Sequence, residues 1–424
     1  MIKRKILFEL EEHLSSDQMT ILVGSRQVGK TYLMNVLREG VEKKGEKTVS
    51  LNLDLSEDAP RFVSQATLVA YLELTIGKER AFVFIDEIQR VKNAGLFLKG
   101  LADMKLPYKF IISGSGSLEL KAKIPESAAG RKILFQVDPI SFEEFVNFKT
   151  DYQYEEKLKD FFALEEGKTT RLFSEYLVFG GYPLVVLAET ASAKQKQMGE
   201  IYRSYIDRDI KDLLNLEKTD EFSNLLKTLA SQIGSMITIT ELANTIGIDE
   251  KTVKHYLWYL EQTFIVQKVT PFYRNVRSEI TKAPIYYFLD NGLRNWLLGL
   301  FGLPDIPGPL GGYLFENIIF NMLRQQFDIT PTQIHFWRTK DQAEVDFVLQ
   351  TGLEVIPVEA KYTKLKDSRV GKSFKNFVIK YKPKRGYIVH LGENLETKMD
   401  GTQISFIPIH NLVGSSVIQS PAFP

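Results

Sequence analysis

Short apolar runs alternate with longer stretches of helical periodicity over about the first 145 residues. The runs are residues 20–24, 48–53, 81–85, 110–113 and 133–137. Near-continuous apolar strands that are separated by helices are typical of a parallel sheet whose two faces are both covered. This part of the chain is therefore predicted to be α/β, with a parallel sheet at its core.

The pattern changes three times beyond this region. Residues 141–216 have helical periodicity, broken by Gly180, Gly181 and Pro183, and residues 220–290 read as a compact helical segment that ends in a hairpin. Residues 299–312 are rich in glycine and proline, which break regular structure, so we expect a linker there. An α/β region follows to the end. The predicted domains are residues 1–145, 146–219, 220–298 and 299–424.

Composition and length narrow the class of protein. The 424 residues are 44% hydrophobic and 25% charged, which is ordinary for globular proteins and fits about three domains. The absence of cysteine excludes disulfides, thiol catalysis and cysteinyl metal sites, and favours a reducing compartment. The longest uncharged apolar stretch, residues 176–188, is shorter than the ~20 residues of a membrane helix, and the N-terminus does not resemble a signal peptide. We expect a soluble cytoplasmic protein without a membrane contact.

The formal net charge of +1 hides an uneven distribution. Residues 361–385 contain ten Lys or Arg and one acid, Asp367, a local charge of +9, so the rest of the chain carries −8. A basic block on an acidic chain is typical of proteins that bind a polyanion such as DNA. A solvated helix face, with lysines that only promote solubility, is the alternative.

A phosphate-binding motif lies between the first strand and the first long helix. The pattern is G-x4-G-K-T, in which glycines let backbone amides and the helix N-terminus surround phosphates. Lys30 is predicted to reach the β- and γ-phosphates of ATP, and the Thr31 hydroxyl to ligate Mg²⁺. The predicted nucleotide-binding residues in this loop are Gly24, Ser25, Arg26, Gln27, Val28, Gly29, Lys30 and Thr31.

Two carboxylates end the apolar run 81–85. Packing does not explain adjacent acids at the end of a buried strand, because unpaired carboxylates are costly to desolvate. Asp86 is therefore predicted to be the second protein ligand of Mg²⁺, and Glu87 the base that activates the attacking water. Ser113, at the end of the next run, is a candidate sensor of the γ-phosphate or a turn serine.

These motifs resemble the AAA+ ATPases, in particular bacterial and archaeal ones with R-Q-V-G-K-T, D-E-I-Q and S-G-S. The resemblance implies a helical lid after the core and a homo-oligomer, such as a ring. It assigns Arg131 as an arginine finger that acts on a neighbouring subunit, with Arg208 as the second candidate, and places Pro183 of the Gly181-Tyr182-Pro183 turn near the adenine. Local ion pairing is the alternative role of both arginines, and a simple turn that of Pro183.

Residues 240–260 read as helix, glycine turn, helix. Thr240 and Asp249 are the expected N-caps. Val253, Tyr256, Leu257 and Leu260 fall at helical spacing and predict a buried face, which leaves Lys251, Lys254 and His255 exposed. With the hairpin at 265–288, the segment resembles a winged helix. Such a domain contacts DNA or serves as structural support, and the sequence leaves both open.

The C-terminal region carries a second set of polar residues. The run 355–361 alternates, so Glu359 and Lys361 share one strand face, and Asp346 lies on the preceding strand. Such a set can hold a divalent cation and activate water for phosphodiester hydrolysis. It resembles the D…E-x-K signature of the restriction-endonuclease-like fold, in which Glu316 matches an acid of the first helix. The implied metal ligands are Glu316, Asp346 and Glu359, with Mg²⁺ or Mn²⁺ bound, and Lys361 would stabilise the reacting charge.

The sequence thus predicts an α/β chain with a P-loop AAA+ core, helical lid, winged-helix domain and restriction-endonuclease-like C-terminal domain. The first functional hypothesis is a Mg²⁺-dependent ATPase that acts on DNA, with or without cleavage by the C-terminal site. The second is a nucleotide-dependent signalling switch whose C-terminal domain docks a protein partner. A protein that binds ATP without hydrolysing it is a third possibility, which Thr31 and Glu87 disfavour.

Overall fold

The computed structural model describes residues 1–115, 130–206, 219–273, 283–303, 308–327, 330–413 and 418. These residues form two compact units. The first comprises Met1–Ile140, Tyr182–Leu184 and Leu257–Ile265. The second comprises the described residues of Ser141–Gly181, Val185–Tyr256 and Val266–Pro424.

A parallel sheet forms the centre of the first unit. Its five strands, as far as the chain is described, follow the order β2-β3-β4-β1-β5. Every residue of β1 and β3 is buried, as expected of strands covered on both faces. Each of the five predicted runs coincides with one of these strands, except that Leu53 and Val137 fall one residue beyond β2 and β5, so the predicted α/β core is confirmed. The strands are β1 Met19–Gly24, β2 Thr48–Asn52, β3 Ala81–Asp86, β4 Tyr108–Ser115 and β5 Lys132–Gln136.

Helices connect β1 to β2, β2 to β3 and β3 to β4, and all five strands run in one direction. Because the carboxyl ends of parallel strands meet at one edge of the sheet, the loops after β1, β3 and β4 lie along the same edge. β4 lies between β1 and β3, which places its last residues between the phosphate-binding loop and Asp86. The helices of this part are α1 Ile6–His13, α2 Lys30–Lys43, α3 Gln65–Ile76 and α4 Ala94–Asp103.

The described residues between 142 and 262 are mainly helical, and a short antiparallel hairpin follows. The helices are α5 Phe142–Lys149, α6 Leu158–Leu164, α7 Glu166–Phe179, α8 Pro183–Leu187, α9 Ala191–Ser204, α10 Thr219–Ser231, α11 Ile239–Ile246 and α12 Glu250–Gln262. The hairpin strands are β6 Val266–Val269 and β7 Ile285–Phe288. Residues 274–282 of the predicted wing lie outside the described residues.

One of the two predicted helix caps is wrong. Thr238, not Thr240, caps α11, because Thr238 has extended backbone angles and its hydroxyl accepts the Glu241 amide at 3.2 Å. Thr240 lies inside the helix, and its hydroxyl donates to Glu250 at 2.7 Å. Asp249 does cap α12, since its carboxylate accepts the Thr252 amide at 3.0 Å. The predicted buried and exposed positions of α12 are all confirmed.

The C-terminal part of the second unit contains a mixed sheet in the order β12-β13-β11-β10-β9-β8. Phe374, Phe377, Trp337 and Phe406 form part of its core. The elements are α13 Asn291–Leu297, α14 Gly308–Phe327, β8 Gln333–Arg338, β9 Glu344–Thr351, β10 Glu354–Lys361, α15 Lys372–Tyr381, β11 Arg385–His390, β12 Leu395–Met399 and β13 Thr402–Pro408. The predicted α/β character of this region is confirmed.

The predicted linker is wrong in its second half. Residues 308–312 belong to α14, which begins at Gly308. Proline is tolerated in the first turn of a helix, where its missing N–H has no partner to lose, so Pro309 does not end regular structure there. Residues 304–307 lie outside the described residues. Within the described ranges, no helix is both long enough and apolar enough to cross a membrane.

Candidate functional site

The phosphate-binding loop connects β1 to α2 and depends on its glycines. Gly24 has a φ of +156°, and a Cβ there would lie 2.2 Å from the carbonyl oxygen of Val137. Gly29, with a φ of +100°, directly precedes α2. The buried Lys30 ammonium donates to the carbonyl oxygens of Gly24 at 3.0 Å and Ser25 at 2.7 Å. A cationic side chain is thus held inside a loop that ends at a helix N-terminus, where anions bind favourably.

The Asp86 carboxylate, at the end of β3, binds residues of α2 and β4. Its Oδ2 accepts the Thr31 hydroxyl at 2.7 Å, and its Oδ1 accepts the Ser113 hydroxyl. The Ser113 oxygen in turn accepts the amide of Glu87 at 3.2 Å. The structure therefore brings Thr31, Asp86 and Ser113 together, although they are far apart in sequence. A hydroxyl and a carboxylate are hard oxygen donors, so this pair fits a bound Mg²⁺.

Glu87 follows Asp86 with an unusual backbone. Its φ of 59° lies in the left-handed region, which is uncommon for residues other than glycine. Such conformations concentrate at functional sites. The carboxylate of the half-buried Glu87 side chain accepts a hydrogen bond from the side-chain amide of Gln89. A neighbour two residues away therefore orients this carboxylate.

Arg4 is a residue of this site that the sequence reasoning missed. Its guanidinium donates to the carbonyl oxygen of Val28 at 2.9 Å and to that of Asp138 at 2.7 Å. Only 8% of Arg4 is exposed. A Cβ placed on Gly29 would lie 3.6 Å from the Nη1 atom of Arg4 and 4.0 Å from the Cγ atom of Pro183. Arg4 therefore ties the phosphate-binding loop to the segment after β5, and no spacing rule in the sequence signals it.

Of the two arginine-finger candidates, Arg131 lies within the described residues. Arg131 forms an ion pair with Asp103 at the end of α4, and about half of each side chain is exposed. This local pairing is the alternative that the sequence left open for Arg131. An exposed ion pair contributes only ~0–1 kcal/mol to stability, so Arg131 can leave Asp103 for another anionic partner at little cost. Arg208 lies outside the described residues.

The turn that contains Gly180 and Gly181 is held by Asp290, a second residue that the sequence reasoning missed. The Asp290 carboxylate accepts the amides of Gly181 and Leu293, both at 2.7 Å. A Cβ on Gly180 would lie 2.4 Å from an Asp290 oxygen, so only glycine fits. Burial raises the pKa of Asp290 to about 6, against the effect of its backbone hydrogen bonds. Gly180 is thus required by a carboxylate more than 100 residues away, which also accepts the amide of Gly181.

The predicted C-terminal residues converge on β9, β10 and α14. The Oδ2 atom of Asp346 accepts the amide of Ala360 at 2.7 Å, and Lys361 pairs with Oε1 of Glu359 at 2.5 Å. Glu359 and Lys361 therefore share one face of β10, as predicted. Glu316 accepts a hydrogen bond from the hydroxyl of Tyr287, which lies on β7 and stacks on Phe320.

Burial and mutual repulsion change the acidity of these groups. Burial, followed by the charges of Glu316 and Glu359, raises the pKa of Asp346 well above its usual value. Burial, with a smaller contribution from Glu344, raises the pKa of Glu316 to about 7. Burial acts to lower the pKa of Lys361, but the charges of Glu359 and Asp346 outweigh it and raise that pKa. A cluster of carboxylates with raised pKa values is a site where a bound cation would be stabilised.

The fit of this cluster to a metal ion is partial. The Oε2 atom of Glu359 is buried and accepts no hydrogen bond from the described residues, which leaves one carboxylate oxygen available for a cation. However, no three His, Asp or Glu side chains in the described ranges lie close enough together to hold a metal ion. A bound Mg²⁺ or Mn²⁺ would therefore need side-chain rearrangement or additional oxygen ligands. The metal role of Glu316, Asp346 and Glu359 stays a prediction.

All ten cations of the basic block, residues 361–385, are exposed. Four of them pair with acids: Lys361 with Glu359, Lys364 with Glu166, Arg369 with Asp367, and Lys384 with Glu354. On the outer face of α15, Lys372, Lys375 and Lys380 are exposed at helical spacing, together with Ile379. This face, opposite the buried Phe374 and Phe377, is the part of the block most suited to a polyanion.

Comparisons with known proteins divide the chain into three segments. Residues 16–146 match a family model described as "AAA domain". Residues 170–303 match "Domain of unknown function (DUF8612)", and residues 311–412 match "Domain of unknown function (DUF4143)". The first match supports the AAA+ resemblance for the phosphate-binding core. The winged-helix and restriction-endonuclease-like resemblances stay predictions.

Whole-chain relatives are distant. An uncharacterized protein of Haemophilus influenzae is 23% identical over 423 residues, covering 96% of this chain and 98% of the relative. The uncharacterized protein MJ1544 of Methanocaldococcus jannaschii is 25% identical over 381 residues, covering 82% of this chain and 80% of the relative. Among solved structures, a mutant of RuvB from Thermotoga maritima aligns with a TM-score of 0.33 and 17% identity, covering 63% of this chain and 90% of that chain. This structural similarity is too low to support a functional comparison.

Proposed function

We propose that the chain is a Mg²⁺-dependent ATPase of the AAA+ type that couples ATP hydrolysis to action on DNA. The observation that carries the ATPase part is the convergence of Thr31 and Ser113 on Asp86, beside a glycine loop that encloses the Lys30 ammonium. The match of residues 16–146 to the AAA domain supports the same reading.

In this proposal each residue has a separate role. The loop amides and Lys30 bind the phosphates, and Thr31 and Asp86 hold Mg²⁺, which neutralises charge on the β- and γ-phosphates. Glu87 orients and deprotonates the attacking water. Ser113 fixes the positions of the Asp86 carboxylate and the Glu87 backbone amide by a hydrogen bond to each. Arg131 of a neighbouring subunit would complete the site after releasing Asp103.

The DNA part of the proposal rests on the second unit. The outer face of α15 offers Lys372, Lys375 and Lys380 to phosphates, and the Asp346–Glu359–Lys361 cluster offers a place for a divalent cation. Exposed lysines favour sequence-independent contacts with the DNA backbone rather than with bases. Hydrolysis in the first unit would then change how the second unit engages DNA.

The ATPase proposal is tested by two variants with different expected defects. Lys30→Ala should abolish nucleotide binding, because it removes the cation that meets the phosphates. Glu87→Gln should retain binding and stop turnover, because the amide cannot take a proton from water. Calorimetric ADP binding and steady-state phosphate release measure the two effects. Hydrolysis by Glu87→Gln at the parental rate would show that Glu87 is not the base.

The DNA proposal is tested with single-stranded, duplex and forked DNA, in Mg²⁺ and in Mn²⁺, with binding and cleavage scored together. Asp346→Ala should abolish any cleavage and leave ATP hydrolysis nearly unchanged. Binding without cleavage under every metal would leave the C-terminal cluster as a binding site. Neither binding nor cleavage would favour the alternative, a nucleotide-dependent switch whose C-terminal domain docks a protein.

A further inference from the structure

The first unit contains a cavity of about 570 Å³ on the side of the sheet opposite to the phosphate-binding loop. Its lining comes from the residues that precede β1, β3, β4 and β5 and from the end of α4. The six residues of β1 separate it from the loop, which corresponds to about 20 Å at ~3.3 Å per residue. The cavity is therefore separate from the site proposed for ATP.

Positive charge dominates the described lining. Arg80, Lys105, Lys109 and Arg131 line the cavity, against a single lining acid, Asp17. Arg80 and Lys105 are exposed at the surface, whereas Lys109 is only 4% exposed. A low-dielectric wall that carries cations of one sign attracts an anion more strongly than the same charges in open solvent.

Lys109 is the buried cation of this cavity. Its ammonium donates to the carbonyl oxygen of Gln18 and lies 3.4 Å from the Nδ1 atom of His13, and both groups are neutral or weakly basic. Burial lowers the pKa of Lys109 to about 8, and the charge of Asp17 offsets this effect only in part, so the charged form still predominates at neutral pH. A buried charge that is incompletely compensated is costly, and an anionic ligand would offset that cost.

Apolar residues form a large part of the remaining lining. Leu101, Leu106, Pro107, Tyr108 and Phe110 line it. The hydroxyl of Tyr108 donates to the Gly77 carbonyl at 2.5 Å, and the ring meets Phe110 edge-on at 6.3 Å, so its orientation is fixed from both ends. Ligand sites of drug-sized molecules typically combine such an apolar wall with a few charged groups, in a volume of ~300–1,000 Å³.

We propose that this cavity is a second ligand site, which binds a small phosphorylated molecule with a planar ring, of the size of a nucleoside monophosphate. The phosphate lies among Arg80, Lys105 and Lys109, and the ring lies against the partly exposed Leu106 and Pro107. This binding does not depend on the proposed ATPase. A further consequence does rest on it: a ligand phosphate competes with Asp103 for Arg131, and so changes how readily that arginine acts on a neighbouring subunit.

The test uses full-length protein carrying Lys30→Ala, so that the phosphate-binding loop does not take up the probe. Calorimetric titrations with inorganic phosphate and with AMP, GMP and UMP should give one site per chain. A nucleoside monophosphate should bind at least tenfold more tightly than phosphate, because only it contacts the apolar wall. Equal affinities would overturn the assignment of the ring, and no saturable binding of any probe would overturn the site.

Three variants locate the binding. Lys109→Met keeps the length of the side chain and should weaken binding at least tenfold. The double variant Arg80→Gln/Lys105→Gln removes only exposed cations, so it tests the site even if Lys109→Met fails to fold, and it should have an effect of similar size. Lys43→Gln/Lys44→Gln, at the exposed end of α2, is the matched control and should bind like the parent. Equal affinity in the double variant and the control would refute the proposal.

Discussion

Arg4 offers a sharp test of how the phosphate-binding loop is organised. The variant Arg4→Met keeps an unbranched stem that fills much of the same space but removes the guanidinium, and with it both of these hydrogen bonds. The carbonyl oxygens of Val28 and Asp138 then lose hydrogen bonds of 2.9 and 2.7 Å from a charged partner. Because the surroundings are largely buried, water replaces these bonds only in part.

The expected magnitude follows from the number and kind of bonds. A hydrogen bond to a charged group contributes ~1.5–3 kcal/mol to stability, so the two bonds together stabilise this loop conformation by about 3 kcal/mol at the lower limit. If the freed loop spends only a fraction of its time in the binding conformation, the apparent Kd rises by the inverse of that fraction. If the binding conformation of the loop is destabilised by ~1.4–3 kcal/mol relative to its other conformations, the Kd for ADP rises about 10–150 times.

The assay is a calorimetric titration of ADP with the parent, Arg4→Met and Arg4→Lys, and with Lys3→Met as a matched charge-loss control on a neighbouring exposed residue. Arg4→Lys should be intermediate, since one ammonium cannot reproduce the fork that reaches two carbonyls. Far-UV circular dichroism checks that each variant is folded. A folded Arg4→Met that binds ADP within twofold of the parent would refute the idea that Arg4 preorganises the loop.

Three further predictions concern the other sites. Mixing inactive Arg131→Ala with inactive Lys30→Ala protein should restore ATP hydrolysis if the finger acts between subunits, and no recovery in verified co-assemblies would contradict that role. Because burial raises the pKa of Glu316 to about 7 and raises that of Asp346 as well, a bound metal must displace protons at lower pH, so Mn²⁺ affinity measured by titration should fall at least tenfold per pH unit below pH 7; a flat profile would exclude Glu316 as a ligand. Charge reversal of Lys372 and Lys375 should weaken DNA binding and reduce the slope of log K against log salt by about 2; an unchanged slope would place DNA elsewhere.

The strands and the nucleotide motif were predictable because each has a local signal. Runs of four to six mostly apolar residues identify the parallel strands, and G-x4-G-K-T requires a loop between a strand and a helix. The pairing of Thr31 with Asp86 then follows from topology, since Asp86 ends β3 and Thr31 lies in the first turn of α2, which follows the loop at the carboxyl end of β1 in the same sheet. The acidic ends of the runs were informative because burial makes them costly.

The partners of these residues were not predictable from local pattern. Arg4, Asp103 and Asp290 act on positions that lie far from them in sequence, and nothing in their own neighbourhood distinguishes them from surface charges. The errors also have physical causes. Threonine is a good cap residue at both 238 and 240, and only the backbone geometry shows that Thr238 is the cap. The linker was overextended because proline breaks a helix only beyond its first turn.

The position of β1 in the first sheet has a consequence for folding during synthesis. β1 is made early, but its neighbours are β4 and β5, and Met19 pairs with Lys132, about 110 residues later. At ~5–20 residues per second, the ribosome needs roughly 5–20 s to supply both partners of this wholly buried strand. Long-range parallel pairing is also intrinsically slow, so β1 should be exposed to aggregation and to chaperones for most of that time. The strand that leads into the nucleotide loop is thus among the last parts of its sheet to form its hydrogen-bonded pairing on both sides.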